Sequence, residues 1–169
     1  MEFRKTKRSD LDEILYLYDS ARRYMRENGN PDQWGEDHPD EKTILSDIEH
    51  GYHIGYSDGN RILGCFAFIE GDDPTYKTIV KGKWLDNNPY GVIHRIAVLE
   101  HCKGIGSTCI EWCFSRSENI RIDTHPDNIP MQKLLAKNGF KYCGQILNSW
   151  GDERLAFQRN ASSLFSAGQ

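Results

Sequence analysis

The sequence predicts a mixed α/β fold, in which helices lie on both faces of one mixed β-sheet. Apolar segments with strand-like patterns alternate along the chain with segments in which apolar residues recur at helical spacing. In the first half, the turn signal Asp58-Gly59-Asn60 separates two apolar runs and predicts an antiparallel hairpin. The second half reads strand-helix-strand-helix-strand, a pattern typical of crossover helices that cover a sheet on both faces.

The predicted elements follow the order β-α-α-β-β-β-α-β-α-β-β. Leu11, Ile14 and Tyr18 give the first helix an apolar face, while Ser9 and Asp12 predict a capping-box-like start. The run Asn28–Pro31 ends this helix, and residues 71–88 form an excursion outside the regular elements. The predicted strands cover residues 2–6, 52–57, 61–70, 91–99, 120–124, 140–147 and 154–158, and the predicted helices cover 10–27, 40–49, 104–117 and 128–138.

The length and composition fit one globular domain over residues 1–160, followed by a flexible tail at 161–169. The formal net charge of −4 gives no global positive field, so we expect neither nucleic acid nor an anionic membrane as a partner. No apolar run approaches the roughly 20 residues of a membrane helix, and the basic N-terminus has no apolar segment behind it. We therefore expect a cytoplasmic protein.

The five cysteines do not form a metal-binding or disulfide pattern. Their number is odd, no Cys-x-x-Cys occurs, and most of them lie in apolar stretches. Cys109 and Cys113 are one helical turn apart, but no adjacent histidine pair completes a zinc site. We expect reduced thiols that pack as small core residues, and no bound metal.

A glycine-bearing loop joins the strand 91–99 to the following helix and carries the chemical signal of the chain. Helix N-termini expose unpaired N–H groups with partial positive charge, and glycine lets a phosphate approach them closely. The nucleotide P-loop is excluded because Lys103 precedes both glycines, and the dinucleotide pattern is excluded because no third glycine follows at its spacing. Two interpretations stay open for this loop at this point: a cradle for a pyrophosphate, and a tight strand-to-helix turn without a ligand. The segment in question consists of His101, Cys102, Lys103, Gly104, Ile105, Gly106 and Ser107.

Two segments in register resemble the GNAT superfamily of N-acetyltransferases. His101–Gly106, after Val98, is similar to its [Arg/Gln]-x-x-Gly-x-[Gly/Ala] motif, and Asn128–Phe140 is similar to its Asn-x-x-Ala-x-x-Leu-Tyr-x-Lys-x-Gly-Phe segment. The order of elements also matches over about residues 2–158. The resemblance implies a GNAT-like sheet with a splayed central strand pair.

The resemblance also implies acetyl-coenzyme A as co-substrate. Backbone groups of Ile96, Ala97 and Val98 are expected to pair with the pantetheine arm like an added strand, and Asn128 to hydrogen-bond that arm. His101 and Cys102 depart from the motif at positions where backbone contacts dominate. Leu135 replaces the tyrosine that many members use to protonate the departing thiolate, so that role is unassigned.

Acetyl transfer to an amine requires a base, because alkylammonium groups have a pKa of about 10.4. His94 is the candidate, on the assumption that strand alternation places it on the face of Ile96 and Val98. Its alternative is a core histidine paired with a carboxylate or backbone group. Asp123 and His125 are candidates for binding the acceptor or for a proton path with His94, and their alternative is to stabilise the turn before Pro126. Tyr90 and Tyr142 are fallback proton donors.

The resemblance implies an acceptor pocket shaped by the loop that carries Trp34 and His38, with Trp84 expected near its mouth. Ordinary packing is the alternative for each of the three residues. The resemblance implies an enzyme that moves acetyl to a primary amine, of a small molecule or of a protein, by direct attack. The first alternative is a non-catalytic coenzyme A-binding or regulatory module, and the second is a fold that binds another nucleotide at the same turn. Members of the family are often dimers, so the resemblance leaves a homodimer open.

Overall fold

The computed structural model describes residues 1–100 and 102–162 and confirms the predicted mixed α/β fold. Within these residues the chain forms eight strands and four α-helices in the predicted order, with one additional short strand, β4, in the excursion. The strands are β1 (Glu2–Lys5), β2 (His53–Ser57), β3 (Ile62–Glu70), β4 (Lys81–Gly82), β5 (Gly91–Val98), β6 (Asn119–Thr124), β7 (Lys141–Leu147) and β8 (Glu153–Asn160). The helices are α1 (Leu11–Glu27), α2 (Glu41–Glu49), α3 (Ile105–Phe114) and α4 (Ile129–Lys137).

The strands form one mixed sheet in the order β1-β2-β3-β5-β6-β8-β7-β4. The β2–β3 hairpin is antiparallel and pairs His53 with Ala67, as the turn signal predicts. β5 and β6 run parallel, with Gly91 opposite Ile120 and the pairing continuing to Val92. The parallel pair follows from the crossover helix between them, because parallel neighbours need a long connection.

The chain contacts divide the protein into two compact units. Unit 1 comprises Met1–Phe68 and His94–Cys109, and unit 2 comprises Ile69–Ile93 and the chain from Ile110 onward. The predicted tail, 161–169, lies outside the described residues except for its first two positions. No helix among the described residues is both long and apolar enough to cross a membrane.

The core of unit 1 forms where the apolar face of α1 meets α2 and the strands. Its members are Ile14, Leu17, Tyr18, Trp34, Ile44, Ile62, Cys65 and Ala97.

The predicted capping role of Ser9 and Asp12 is wrong, because a short 3-10 turn, Arg8–Asp10, precedes α1. Asp10 instead accepts the Lys7 N–H at 2.7 Å and pairs with Arg4, also at 2.7 Å. The N-terminus of α2 is capped by Asp40, whose carboxylate accepts the Thr43 N–H at 2.8 Å.

The core of unit 2 gathers Tyr76, Tyr90, Val92, Ile146 and Ala156. Arg121, a buried arginine on β6, contacts the excursion before β5. The Arg121 guanidinium lies 4.3 Å from the Trp84 ring centroid and 3.9 Å from that of Tyr90. It also donates to the backbone carbonyls of Tyr76 at 3.1 Å and Asp86 at 2.9 Å. The excursion is therefore an ordered part of the unit and contains a short helical turn, Pro74–Tyr76, besides β4.

Candidate active site

The centre of β5 has an unusual backbone conformation at Arg95. Its φ is +53°, the left-handed region, and it is the one non-glycine residue with positive φ in the described part of the chain. Such a residue within a strand costs about 1–3 kcal/mol and persists where surrounding contacts enforce it. It also interrupts the alternation of side chains, so alternation no longer places His94 on the same face as Ile96 and Val98.

Two residues of unit 1, Asp47 and Tyr18, bind Arg95 in this conformation. Its guanidinium forms a two-pronged ion pair with Asp47 at the end of α2, with Nε 2.9 Å from Oδ2 and Nη2 2.8 Å from Oδ1. Its backbone carbonyl accepts the Tyr18 hydroxyl at 2.9 Å. Burial raises the pKa of Asp47 above its usual range, and the charge of Arg95 opposes that shift.

Tyr18 is itself held by a buried histidine on β2. His53 Nε2 lies 3.3 Å from the Tyr18 oxygen, and its Nδ1 lies 2.8 Å from Thr6 Oγ1. The Tyr18 hydroxyl donates its only proton to the Arg95 carbonyl, so His53 Nε2 is the donor in the bond between His53 and Tyr18. His53 Nδ1 then carries no proton and accepts from the Thr6 hydroxyl. Burial and the charge of Arg95 lower the pKa of His53 to about 4, so the ring is neutral near pH 7. The chain Thr6–His53–Tyr18–Arg95 therefore has one hydrogen-bond direction.

The loop after β5 has the backbone geometry expected of a phosphate cradle. Gly104 has φ +84°, is exposed, and has no atom within 4 Å of the position that a Cβ would take. Its carbonyl accepts the Thr108 N–H at 3.1 Å, so Gly104 caps α3. The N–H groups of Ile105 and Gly106 stand at the start of the helix, where no intrahelical acceptor precedes them. The residues present therefore fit a pyrophosphate at this end of α3.

The charges around this loop also suit an anion. The first turn of α3 contains no acidic side chain, and Lys103 is exposed beside it. Cys102 is half-buried, the other four cysteines are buried, and none of the five forms a disulfide within the described part of the chain. His101 lies outside the described residues, so its part in the cradle stays a prediction. Tight packing behind the loop fixes the helix, since a Cβ on Gly64 of β3 would lie 2.8 Å from Ile105 Cγ2.

The acceptor-pocket residues of unit 1 occupy different environments. Trp34 is buried in the core and packs edge-on against Tyr18 with ring centroids 5.7 Å apart, which favours the packing alternative. His38 is half-buried, and burial followed by the charge of Arg95 lowers its pKa to about 4. Its backbone carbonyl accepts Arg22 Nη1 at 3.0 Å. His94, the predicted base, is half-buried.

In unit 2, the strand end at β6 supports the turn-stabilising alternative for His125. Its Nδ1 accepts the Asp127 N–H at 3.1 Å. Asp123 accepts the hydroxyl of the fully buried Tyr76, and its Oδ2 lies 3.9 Å from Arg154 Nε. Burial, and then the Asp123 charge, raises the pKa of Tyr76 well above its ordinary value. Tyr76 is thus a fixed donor to Asp123, and the structure brings Asp123 and His125 into separate hydrogen bonds.

The remaining predicted residues of unit 2 have clear local roles. Asn128 caps α4, with its Oδ1 accepting the Met131 N–H at 3.1 Å, so that oxygen serves the helix. Leu135 is fully buried, and its carbonyl accepts the Phe140 N–H at 3.0 Å. Trp84 stacks on Tyr76 at 6.0 Å, and its indole nitrogen is buried without a hydrogen-bond partner among the described residues. Packing against Arg121 and Tyr76 favours the structural alternative for Trp84.

Sequence reasoning missed Asp47, Arg95, Tyr18 and His53, which hydrogen bonds join into one polar group in unit 1. Tyr18 was predicted only as a member of the apolar face of α1. A charged pair separated by 48 positions and a left-handed arginine leave no local pattern in the sequence. The buried neighbours of Tyr18 give the one indirect signal, because a tyrosine on an apolar helix face needs a partner for its hydroxyl.

Comparison with known proteins identifies the family. The sequence profile of the Acetyltransferase (GNAT) family matches residues 14–140, most of the chain. The chain therefore belongs to the GNAT acetyltransferase family, as the two sequence motifs imply. No curated protein matches the chain.

Solved structures agree with this assignment. A GNAT-family acetyltransferase from Streptococcus agalactiae 2603 is 32% identical, with a TM-score of 0.83 over 94% of both chains. An acetyltransferase from Staphylococcus aureus Mu50 is 26% identical, with a TM-score of 0.68 over 95% of this chain and 99% of that one. A GNAT-family acetyltransferase from Listeria monocytogenes 4b F2365 shares the fold at 20% identity, with a TM-score of 0.67 over 94% and 93% of the chains.

Proposed function

We propose that this protein transfers an acetyl group from acetyl-coenzyme A to a primary amine. The observation that carries the proposal is the junction of β5 and α3. A strained strand centre at Arg95 is followed, within ten residues, by an open glycine cap at Gly104 on a helix N-terminus. Within the GNAT acetyltransferase family, this junction is where the resemblance places the co-substrate.

In this proposal, the start of α3 holds the pyrophosphate through the N–H groups around Ile105 and Gly106, with Lys103 adding positive charge. Backbone groups of Ile96, Ala97 and Val98 hold the pantetheine arm as an added strand. These contacts are made by backbone atoms, which explains why His101 and Cys102 depart from the motif without destroying it. Asn128 remains a candidate for the arm through its amide group, although its oxygen already caps α4.

Acetyl-coenzyme A supplies a thioester, whose carbonyl carbon is attacked by the amine nitrogen while the carbon–sulfur bond breaks. The chain has to remove one proton from the amine and to donate a hydrogen bond to the carbonyl oxygen. A backbone N–H near Ile96 is the proposed donor, and His94 is the proposed base. The proton lost by the amine ends on the thiol, and the buried Leu135 cannot deliver it, so solvent is the proposed route.

Two measurements test the proposal. Thiol release from acetyl-coenzyme A is followed spectrophotometrically with a panel of small amines, amino acids and peptide N-termini. Release with one acceptor class supports the proposal. Binding of acetyl-coenzyme A without release for any member of the panel would favour the non-catalytic module instead.

The cradle is tested by calorimetry on a matched pair of glycine variants. Gly104 and Gly59 both have positive φ, both are exposed, and neither has an atom within 4 Å of its Cβ position. Gly104→Ala and Gly59→Ala therefore impose similar backbone strain at different places. We expect at least tenfold weaker acetyl-coenzyme A binding, about 1.4 kcal/mol, for Gly104→Ala and for Gly106→Val, and unchanged binding for Gly59→Ala. Equal affinities across the folded variants would refute the cradle.

A further inference from the structure

We infer that Asp47 and Tyr18 are positioning residues, which hold Arg95 in its left-handed conformation and so fix the direction of the adjoining Ile96 peptide group. This inference rests on the proposed function, because Ile96 matters only if it faces the thioester. It assigns to α1 and α2 a defined part in the reaction. All of the contacts involved lie within unit 1.

The first step is that the conformation of Arg95 needs outside support. An L-residue other than glycine, asparagine or aspartate rarely adopts φ near +53°, because its Cβ crowds the backbone there. Arg95 has no side-chain feature that favours this conformation locally. The neighbouring strand residues, His94 and Ile96, belong to the same continuous strand, so the support has to come from tertiary contacts.

The second step is that the support acts on both ends of the residue. Asp47 binds the guanidinium with two hydrogen bonds of 2.9 and 2.8 Å, and both side chains are largely buried, at 16% and 10% exposure. The Tyr18 hydroxyl binds the carbonyl at 2.9 Å. Arg95 is therefore held both at its side chain and at its carbonyl, by three hydrogen bonds.

The third step is that the support is itself rigid. Tyr18 is fully buried in the core, and its oxygen is oriented by His53, which is 1% exposed and anchored by Thr6. Asp47 is anchored through its own backbone, since its carbonyl accepts the Tyr52 N–H at 2.8 Å. Small displacements of a reacting carbonyl are costly in catalysis, so a rigid support for the neighbouring peptide has a direct functional value.

The alternative is that Arg95 and Asp47 contact the acceptor themselves. The two explanations differ in what a glycine at position 95 should do. Glycine adopts positive φ without a penalty, so it removes the need for the ion pair as well as the ion pair itself. If the pair serves to enforce the backbone, glycine rescues the loss, whereas a binding role cannot be rescued in this way.

The test compares two double variants, Asp47→Asn with Arg95→Gly and Asp47→Asn with Arg95→Ala. Both lack the ion pair and both carry a neutral amide at position 47, so they differ only in the Cβ at position 95. We expect kcat of both to fall below the wild-type value, and that of the glycine form to exceed that of the alanine form about fivefold or more. The KM for the acceptor should be the same in the two forms.

A single variant provides a second test if the double variants do not fold. Tyr18→Phe keeps the ring in the core and removes only the hydroxyl, and Tyr16→Phe on the exposed side of the same helix is its control. We expect Tyr18→Phe to lower kcat severalfold while the Kd for acetyl-coenzyme A stays within about twofold, and Tyr16→Phe to behave as wild type.

The outcomes separate this inference from the proposed function. Equal kcat in the glycine and alanine forms, or a difference confined to the acceptor KM, would overturn the inference while leaving the proposed function intact. Unchanged kcat in a folded Tyr18→Phe protein would do the same for Tyr18. A wild-type protein that releases no thiol with any amine would refute the proposed function and this inference together.

Discussion

Replacing His53 by glutamine should make the protein less sensitive to acid between pH 6.5 and pH 4. His53 is 1% exposed, with Thr6 and Tyr18 as its hydrogen-bond partners. Burial, and second the charge of Arg95, lowers its pKa from 6.5 to about 4 in the folded protein. The folded state therefore keeps the ring neutral over a pH range in which the unfolded chain protonates it.

The sign and size of the effect follow from that difference in pKa. Below pH 6.5 the unfolded state binds a proton that the folded state does not, so the free energy of unfolding falls as the pH is lowered. The contribution is fully present above pH 6.5 and is lost by the time the pH has dropped through about 4. The gap between the two pKa values corresponds to about 3 kcal/mol, a large part of the stability of a domain of this size.

The assay is urea unfolding of wild type and His53→Gln at several pH values from 7 to 4. We expect the wild-type free energy of unfolding to fall by about 3 kcal/mol more than that of the variant over this range. His38, whose pKa is also about 4, is present in both proteins and cancels in the difference. His50→Gln, at an exposed histidine, is the control for exchanging an imidazole for an amide. Parallel curves for wild type and His53→Gln would refute the reasoning.

Three further substitutions have outcomes that the structure specifies. Gly64→Ala places a Cβ 2.8 Å from Ile105 Cγ2, so we expect the free energy of unfolding in urea to fall by about 1–3 kcal/mol. Calorimetry should also show weaker acetyl-coenzyme A binding. Wild-type stability of the variant would contradict this. His94→Ala should lower kcat by about 100-fold with little change in acetyl-coenzyme A affinity, and a preserved kcat and pH profile would remove His94 as the base. Arg121→Lys loses the planar stack between two rings and one of two carbonyl contacts, which should cost about 2 kcal/mol or more in urea unfolding. A change below about 0.5 kcal/mol would show that a point charge suffices there.

Much of the fold could be predicted because its signals are local. Helical spacing of apolar residues located α1, and the Asp-Gly-Asn turn located the β2–β3 hairpin. The predicted capping role of Ser9 and Asp12 was wrong because a 3-10 turn, Arg8–Asp10, precedes α1. The carboxylate of that turn, Asp10, pairs with Arg4 on β1, which is a tertiary contact. β4 escaped prediction because its two residues are ordered by pairing with β7, not by a pattern of their own.

The candidate site likewise contains features that local sequence signals predict and features that depend on tertiary contacts. The weighed packing alternatives for Trp34 and His125 agree with the contacts that each makes, a core ring pair and a turn hydrogen bond. The face of the sheet on which His94 lies could not be predicted, because it depends on the φ angle of the neighbouring Arg95. The cofactor-binding and catalytic roles stay predictions, which the variants above test.

The sequence by itself determined the order of elements, the glycine at the start of α3 and the family. Each of these depends on a pattern of residues that lie close together in the chain. Only the tertiary structure decided the course of β5 beside that glycine. Arg95 prefers an ordinary extended conformation, and it turns left-handed because Asp47 and Tyr18, 48 and 77 positions away, bind its two ends. A conformation that opposes the local preference of its residue cannot be predicted from that residue, since the energy that enforces it comes from contacts that exist only after folding.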